Sequence, residues 1–291
     1  GTDLSTLYDG TGTPEPATNP LQVMIPGPAS HVPAVPTGNL FNPTSGFLVT
    51  SGVPSTKAFF IFAGATGTIS AWNPTVDLHH AILKVNNFPQ ASYTGIALGT
   101  NSSGSFLFAA NFTQARIDVF DGSFAPATLA GTFTDPMVPA GFGPFNIENI
   151  GGMLFVTYAK INPMTGRDIP GVGNGYVAIF DTDGKLVRHL ASQGLLNSPW
   201  GMAIAPSTFQ NASGDLLVGN FGDGHINVFR LSDGMVRGQL KIDGQPIVIP
   251  GLWALVDGTG ALHADPTKVY FTAGINHEAD GLFGTLGPAT D

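Results

Sequence analysis

The chain has 291 residues, and its 20 acidic side chains outnumber its 11 Lys and Arg to give a formal charge of −9. It has no clustered cations to replace the counterions of a nucleic acid or hold an anionic membrane surface. No run reaches the roughly 18 apolar residues that would insert into a membrane as a helix, and without cysteine there are neither disulfides nor thiolate metal sites.

Hydrophobic residues still make up 43% of the chain, while 39 glycines and 23 prolines fall between the apolar runs. That pattern suits many short strands joined by tight turns, with residues 1–291 forming one domain. In chain order, six strand-like runs end on an aromatic beside a turn signal: Tyr8 in STLYDG, Trp72 in TISAWNP, Phe120 in RIDVFDG, Phe180 in YVAIFDTDG, Phe229 in HINVFRLSDG and Phe283 in GLFGTL. The marks lie 64, 48, 60, 49 and 54 residues apart. A recurrence of this length built from alternating strands predicts an all-β, six-bladed β-propeller. The blades fall at about 1–30 (partial), 31–90, 91–140, 141–195, 196–246 and 247–291.

Within the repeats, the unit after Leu196 reads most clearly: WGMAIAP, DLLVGN, HINVF and VRGQLKI, joined by hairpins. The units at 91–136 and 142–194 read alike, whereas the first two strands of 38–88 are ambiguous between LFNPTSGFLVTS and AFFIFA. Each aromatic mark is expected to wedge between neighbouring blades. Asp181-x-Asp183-Gly184 begins like a calcium loop but has no later carboxylate at the required spacing, so a plain turn is expected. The two ends are unbalanced: only seven residues precede Tyr8, and eight follow Phe283. The first blade is therefore expected to lack its inner strands and the last its outer strand. A preceding segment of roughly fifty residues would supply all three.

The segments FNPTSGFLVTSG, GTISAWNPTVD, GPFNIENIGGMLFVTYA, LNSPWGMAIAP, LLVGNFGDG and YFTAGINHEADGLFG resemble a family of secreted bacterial six-bladed propellers with NHL-like repeats. Many members of that family carry a PEP-CTERM sorting signal. The resemblance implies export to the extracellular medium or the cell surface and an additional N-terminal strand pair. It transfers no catalytic residues.

Propeller geometry brings the second-to-third-strand loops and the interblade loops to one rim. The rim is expected to present Tyr93, Asn111, Phe112, Phe145, Asn146, Tyr158, Trp200, Asn220, Phe221, Trp253 and Asn276. Its aromatics would stack on a ligand and its amides would bond one, so the leading expectation is an extracellular binding or scaffold protein for a glycan, peptide or protein. The same amides could instead cap turns.

A second expectation is a hydrolase resembling calcium-dependent lactonases and gluconolactonases. Glu148, Asn220, Asp223 and Asp280 are then the candidate ligands of Ca2+; otherwise no cofactor is implied. His277 with Glu278, and Glu148 on a channel strand, are the candidates for acid–base chemistry. A third expectation is a structural subunit that self-assembles through exposed blade edges.

Overall fold

Alternating apolar strands and glycine turns fold the chain into five small antiparallel sheets set around one axis. In each sheet the first strand in sequence is innermost. The computed structural model describes residues 3–50 and 55–287.

A two-stranded ribbon, β1 (Leu4–Thr6) and β2 (Gln22–Met24), comes first. Blade 1 contains β3 (Pro36–Phe41), β6 (Phe60–Gly64), β7 (Thr68–Trp72) and β8 (Ile82–Asn86). A small ribbon, β4 (Leu48–Val49) and β5 (Thr56–Lys57), intervenes between its first two strands and settles their assignment. Blade 2 has β9 (Tyr93–Asn101), β10 (Gly104–Asn111) and β11 (Arg116–Asp121). Blade 3 has β12 (Phe142–Ile150), β13 (Met153–Lys160), β14 (Gly175–Phe180) and β15 (Leu186–Ser192). Blade 4 has β16 (Pro199–Ile204), β17 (Leu216–Asn220), β18 (Ile226–Phe229) and β19 (Val236–Gln239), followed by a ribbon of β20 (Lys241–Ile242) and β21 (Gln245–Pro246). Blade 5 has β22 (Leu252–Asp257), β23 (Val269–Gly274) and β24 (Asp280–Leu286), with one helical turn, α1 (Ile275–Glu278), before its last strand.

The count of six blades is thus corrected to five. Tyr8, the first aromatic mark, belongs to a ribbon with too few strands to make a blade. The ribbon nevertheless repeats the corner chemistry of the third strands. Asp9 Oδ1 accepts the N–H groups of Thr11 and Thr13, both at 2.9 Å. Asp121 accepts those of Ser123 and Ala125, and Asp181 those of Asp183 and Lys185, in the same way. These are side-chain-stabilised turns, and the stretch at Asp181 is one of them.

Burial follows the blade interfaces. Ile61, Ile69, Tyr93, Leu107 and Phe120 fill the space between blades 1 and 2. Phe108, Val156 and Phe180 fill that between blades 2 and 3. Ile179, Leu190, Val218 and Phe229 lie between blades 3 and 4, and Leu217, Val228, Leu252 and Leu255 between blades 4 and 5. The inner strands follow one another as β3, β9, β12, β16 and β22, but among the described residues β22 does not run beside β3. The N-terminal ribbon spans that last interval. Val23 and Ile25 bury against Phe62 and Trp72 of blade 1. Tyr8 stacks on Phe283 of blade 5 at 6.3 Å, and Asp9 pairs with His263 at 3.1 Å.

Candidate functional site

All five inner strands break register at the same place, near the start of the strand. The irregularities fall at Thr37, at Thr94–Gly95, at Phe145, at Trp200–Gly201 and at Trp253–Ala254. A bulge inserts an unpaired residue and redirects its side chain. At this level Phe145, Trp200 and Trp253 meet in one aromatic cluster at a common mouth, while Thr37 Oγ1 donates to the Tyr93 carbonyl at 2.7 Å.

Two glycines permit the close approach this requires. A Cβ on Gly95 would lie 2.2 Å from Asn146 Oδ1, and one on Gly201 would lie 2.5 Å from the Trp253 carbonyl oxygen. Both separations are far inside van der Waals contact. Asn146 uses the space beside Gly95 to donate to the Trp200 carbonyl at 3.0 Å and to Glu148 Oε1 at 2.8 Å.

The mouth is closed by rings rather than lined by them. Trp200 Nε1 donates to the Thr94 carbonyl at 2.8 Å. Because this bond joins blades 4 and 2, which are not neighbours, the indole lies across the axis. Phe112 and Phe145 meet at 5.0 Å, Phe145 and Phe221 at 6.0 Å, Phe221 and Trp253 at 4.6 Å, and Trp253 and Trp200 at 5.4 Å. Phe112, Phe145 and Trp200 are buried in this cluster, while Phe221 and Trp253 remain partly exposed.

The amides of the rim are committed to the protein itself. Asn220 is fully buried; its Oδ1 accepts from Asn197 N–H and from Asn227 Nδ2, both at 3.1 Å. Its Nδ2 donates to the Leu195 carbonyl at 2.8 Å and to Asp223 Oδ1 at 3.0 Å. Asn111, at the matching position of blade 2, accepts from Ser92 N–H at 3.2 Å and donates to Asp118 Oδ2 at 2.8 Å. Tyr93 joins that network, donating to Asp118 Oδ2 at 3.1 Å.

The remaining sequence candidates lie apart. Tyr158 is buried between blades 2 and 3, and Asn276 bonds Asp280 at 2.8 Å on the exposed turn at α1, where Glu278 is also exposed. The His277 side chain is outside the described residues.

Glu148 stands on β12 and accepts from Met202 N–H of β16 at 3.3 Å as well as from Asn146. Burial, reinforced by the charge of Asp257 on β22, outweighs these bonds and pushes its carboxyl up to about 8. Partial desolvation at the end of β22 raises Asp257, an otherwise exposed residue, above the ordinary carboxylate value. Asp257, whose charge reaches Glu148, is a group that the sequence pattern does not single out, because its place at the end of an inner strand reads only as a turn.

The proposed calcium ligands do not converge. Asp223 directs its carboxylate to Asn220, to Asn197 Nδ2 at 3.0 Å and to His225 Nδ1 at 3.2 Å. Glu148 is tied to a different strand pair. Among the described residues there is no group of three or more His, Asp or Glu placed to hold a metal ion. The donor set therefore does not fit the expected Ca2+, and no step is derived through one. No helix among the described residues is long and apolar enough to cross a membrane.

No protein-family model matches the chain. It is 35% identical over 266 residues to "Uncharacterized protein L690" of Acanthamoeba polyphaga mimivirus, covering 89% of this chain and 69% of that one. It is 35% identical over 259 residues to "Uncharacterized protein R648" of the same virus, covering 86% of this chain and 62% of that one. A third mimivirus protein, R640, is 33% identical, and the chain spans 46% of its length.

Among solved structures, a chain of a nidogen/laminin complex superposes with a TM-score of 0.52 at 16% identity, covering 99% of this chain and 94% of that one. A COPII outer-coat chain gives 0.55 at 10% identity, covering 92% of this chain and 60% of that one. A gluconolactonase from Xanthomonas campestris gives 0.50 at 14% identity, covering 79% and 73% respectively. These likenesses show the propeller fold alone.

The viral relatives overturn the resemblance to a secreted bacterial family. Its motifs coincide with bulges, tight turns and turn-capping amides that serve blade geometry in this chain.

Proposed function

The chain belongs to the family of the mimivirus proteins just described, and we propose that this family's β-propeller is an interaction module that docks an apolar anchor of a protein or peptide against its aromatic mouth. The state of the rim's polar groups carries this reading. Asn111, Asn146 and Asn220 spend their amides inside the protein, whereas Phe221 and Trp253 keep part of their surface outside. A glycan requires directional donors and acceptors beside a stacking face. A bulky apolar side chain requires only the aromatic surface.

Selecting a displayed random-peptide library on the purified protein tests the reading. Peptides with a bulky apolar residue should emerge, should change tryptophan emission on titration, and should lose about tenfold or more in affinity to Trp253→Ala. Binding insensitive to Trp253→Ala and Phe221→Ala, or a response confined to a glycan array, would reverse the choice.

A further inference from the structure

The only histidine of blade 3, His189, sits within a hydrogen-bonded relay well away from the mouth. Its Nδ1 lies 2.6 Å from Asp135 Oδ2, and its Nε2 lies 2.7 Å from Ser192 Oγ. With Asp135 ionised, Nδ1 carries the proton and Nε2 is left to accept from the serine.

Three features of the chain build this arrangement. His189 and Ser192 are three residues apart on one strand, a spacing that places side chains on opposite faces. The register of β15 against β14 shifts between the Val177–Ala191 and Ala178–His189 pairs, and this bulge returns both side chains to the same face. Asp135 arrives on the segment after blade 2. That segment is pinned to the β14–β15 turn by Gly131 N–H to the Asp183 carbonyl at 2.8 Å and Phe133 N–H to the Gly184 carbonyl at 2.9 Å.

Solvent exposure increases along the relay from Asp135 to Ser192. The Asp135 side chain has no solvent exposure, His189 has 13%, and Ser192 is exposed. Met137 N–H occupies the second Asp135 oxygen at 2.9 Å, so the carboxylate is fixed toward the imidazole. The buried Tyr158 hydroxyl, which has no hydrogen-bond partner, lies within the field of the same carboxylate. Tyr176 stands across the strand pair from Ser192, and Phe142 packs edge-on to it at 4.8 Å.

We propose that Ser192 is an acyl-accepting nucleophile, with His189 as its general base and Asp135 as the positioning residue, and that its substrates are uncharged carboxylic esters. The partly exposed Phe142 ring beside Tyr176 gives the serine an apolar neighbour that suits an uncharged acyl chain. In the first step Ser192 Oγ forms a bond to the acyl carbon and passes its proton to His189 Nε2. The ester C–O bond then breaks, and the departing alkoxide takes that proton and leaves as the alcohol. Water next attacks the acyl-serine, gives a proton to Nε2, and releases the carboxylic acid as Oγ regains its proton. The net change is ester plus water to acid plus alcohol.

This activity is independent of the mouth, so peptide docking and ester cleavage can fail separately. Purified whole protein should react with a fluorophosphonate probe at Ser192, as mapped by peptide mass spectrometry, and should hydrolyse p-nitrophenyl acetate. Ser192→Ala and His189→Gln should each reduce hydrolysis by about 100-fold or more. Asp135→Asn should both slow the reaction and displace its pH profile, which a purely structural tie would not do. Asp135 and the phenols of Tyr158 and Tyr176 are the titratable groups facing the imidazole in that profile. Should Asp135→Asn fail to fold, Ser192→Ala decides, because it removes only a surface hydroxyl. An unlabelled Ser192, or equal rates for wild type and Ser192→Ala, overturns the proposal.

Discussion

Two polar clusters in this propeller use similar side chains to opposite ends. At the mouth, Asn220, Asn227, Asn197 and Asp223 close on one another and on the backbone, so that each of these buried amides finds a partner inside the protein. Between blades 2 and 3, Asp135 and His189 form a chain that finishes on an exposed hydroxyl. A closed network lowers the energy of one conformation and has no remaining capacity to bind. An open one keeps a proton acceptor beside a group that solvent and solutes can reach. Which residues are polar matters less than where their last hydrogen bond ends.

The mouth should therefore respond to mutation as a core does. Trp200→Ala removes a buried indole together with its bond across the axis to Thr94, and should cost about 3–5 kcal/mol in urea unfolding. A loss below about 1 kcal/mol would mean that the rings fill a space the protein can do without. Asn220→Ala should cost about 1–3 kcal/mol, because it leaves the Asn197 N–H buried without a partner and the Leu195 carbonyl with only its bond from Asn227 Nδ2. Asn220→Asp is the sharper probe, since it sets a second carboxylate against Asp223 and should be at least as damaging.

Much of this was legible in the chain. Period-two alternation and the recurring aromatic before a turn disclose short strands in repeated sheets. The likeness of Asn111 and Asn220, each following a strand and preceding Phe, correctly marks equivalent positions. The blade count was not legible, because Tyr8 and Asp9 carry the same local signal as Phe120 and Asp121. Local turn chemistry cannot report how many strands lie on the far side of it. Nor could the sequence show that the rim rings turn on one another, since the bulges that aim Trp200 and Trp253 are register shifts between distant strands. The relay was hidden for the same reason. Asp135 and His189 are 54 residues apart, and the shift that turns His189 toward Ser192 leaves no mark in composition.

The channel carboxyl offers an intermediate case. Glu148 is raised in the folded protein to about 8 from an ordinary value of 4.5, chiefly by burial. The folded state thus binds its proton more tightly than the unfolded state. Stability is greatest below the unfolded value and is lost as pH rises through about 5 to 8. The side chain keeps some contact with water, which holds the loss to about 1–2 kcal/mol. Glu148→Gln should remove this slope and be the more stable protein at pH 8, as thermal melts across the range would show. An unchanged slope would place the titration elsewhere, with Asp257 the next group to replace.

The smallest expected effect separates the two clusters most cleanly. Ser192 is exposed at the end of β15 and donates its one side-chain hydrogen bond to the histidine ring, so Ser192→Ala leaves no buried group without a partner. His189 retains Asp135 on its other nitrogen, and water can take the place of the lost hydroxyl. The change in unfolding free energy should stay within about 0.5 kcal/mol, as for ordinary surface substitutions. A loss approaching that of Asn220→Ala would show that the serine closes a structural network, and the two clusters would then be alike. A silent melt with loss of fluorophosphonate labelling would establish the difference, because a hydroxyl that contributes nothing to stability would still be the reactive end of the chain.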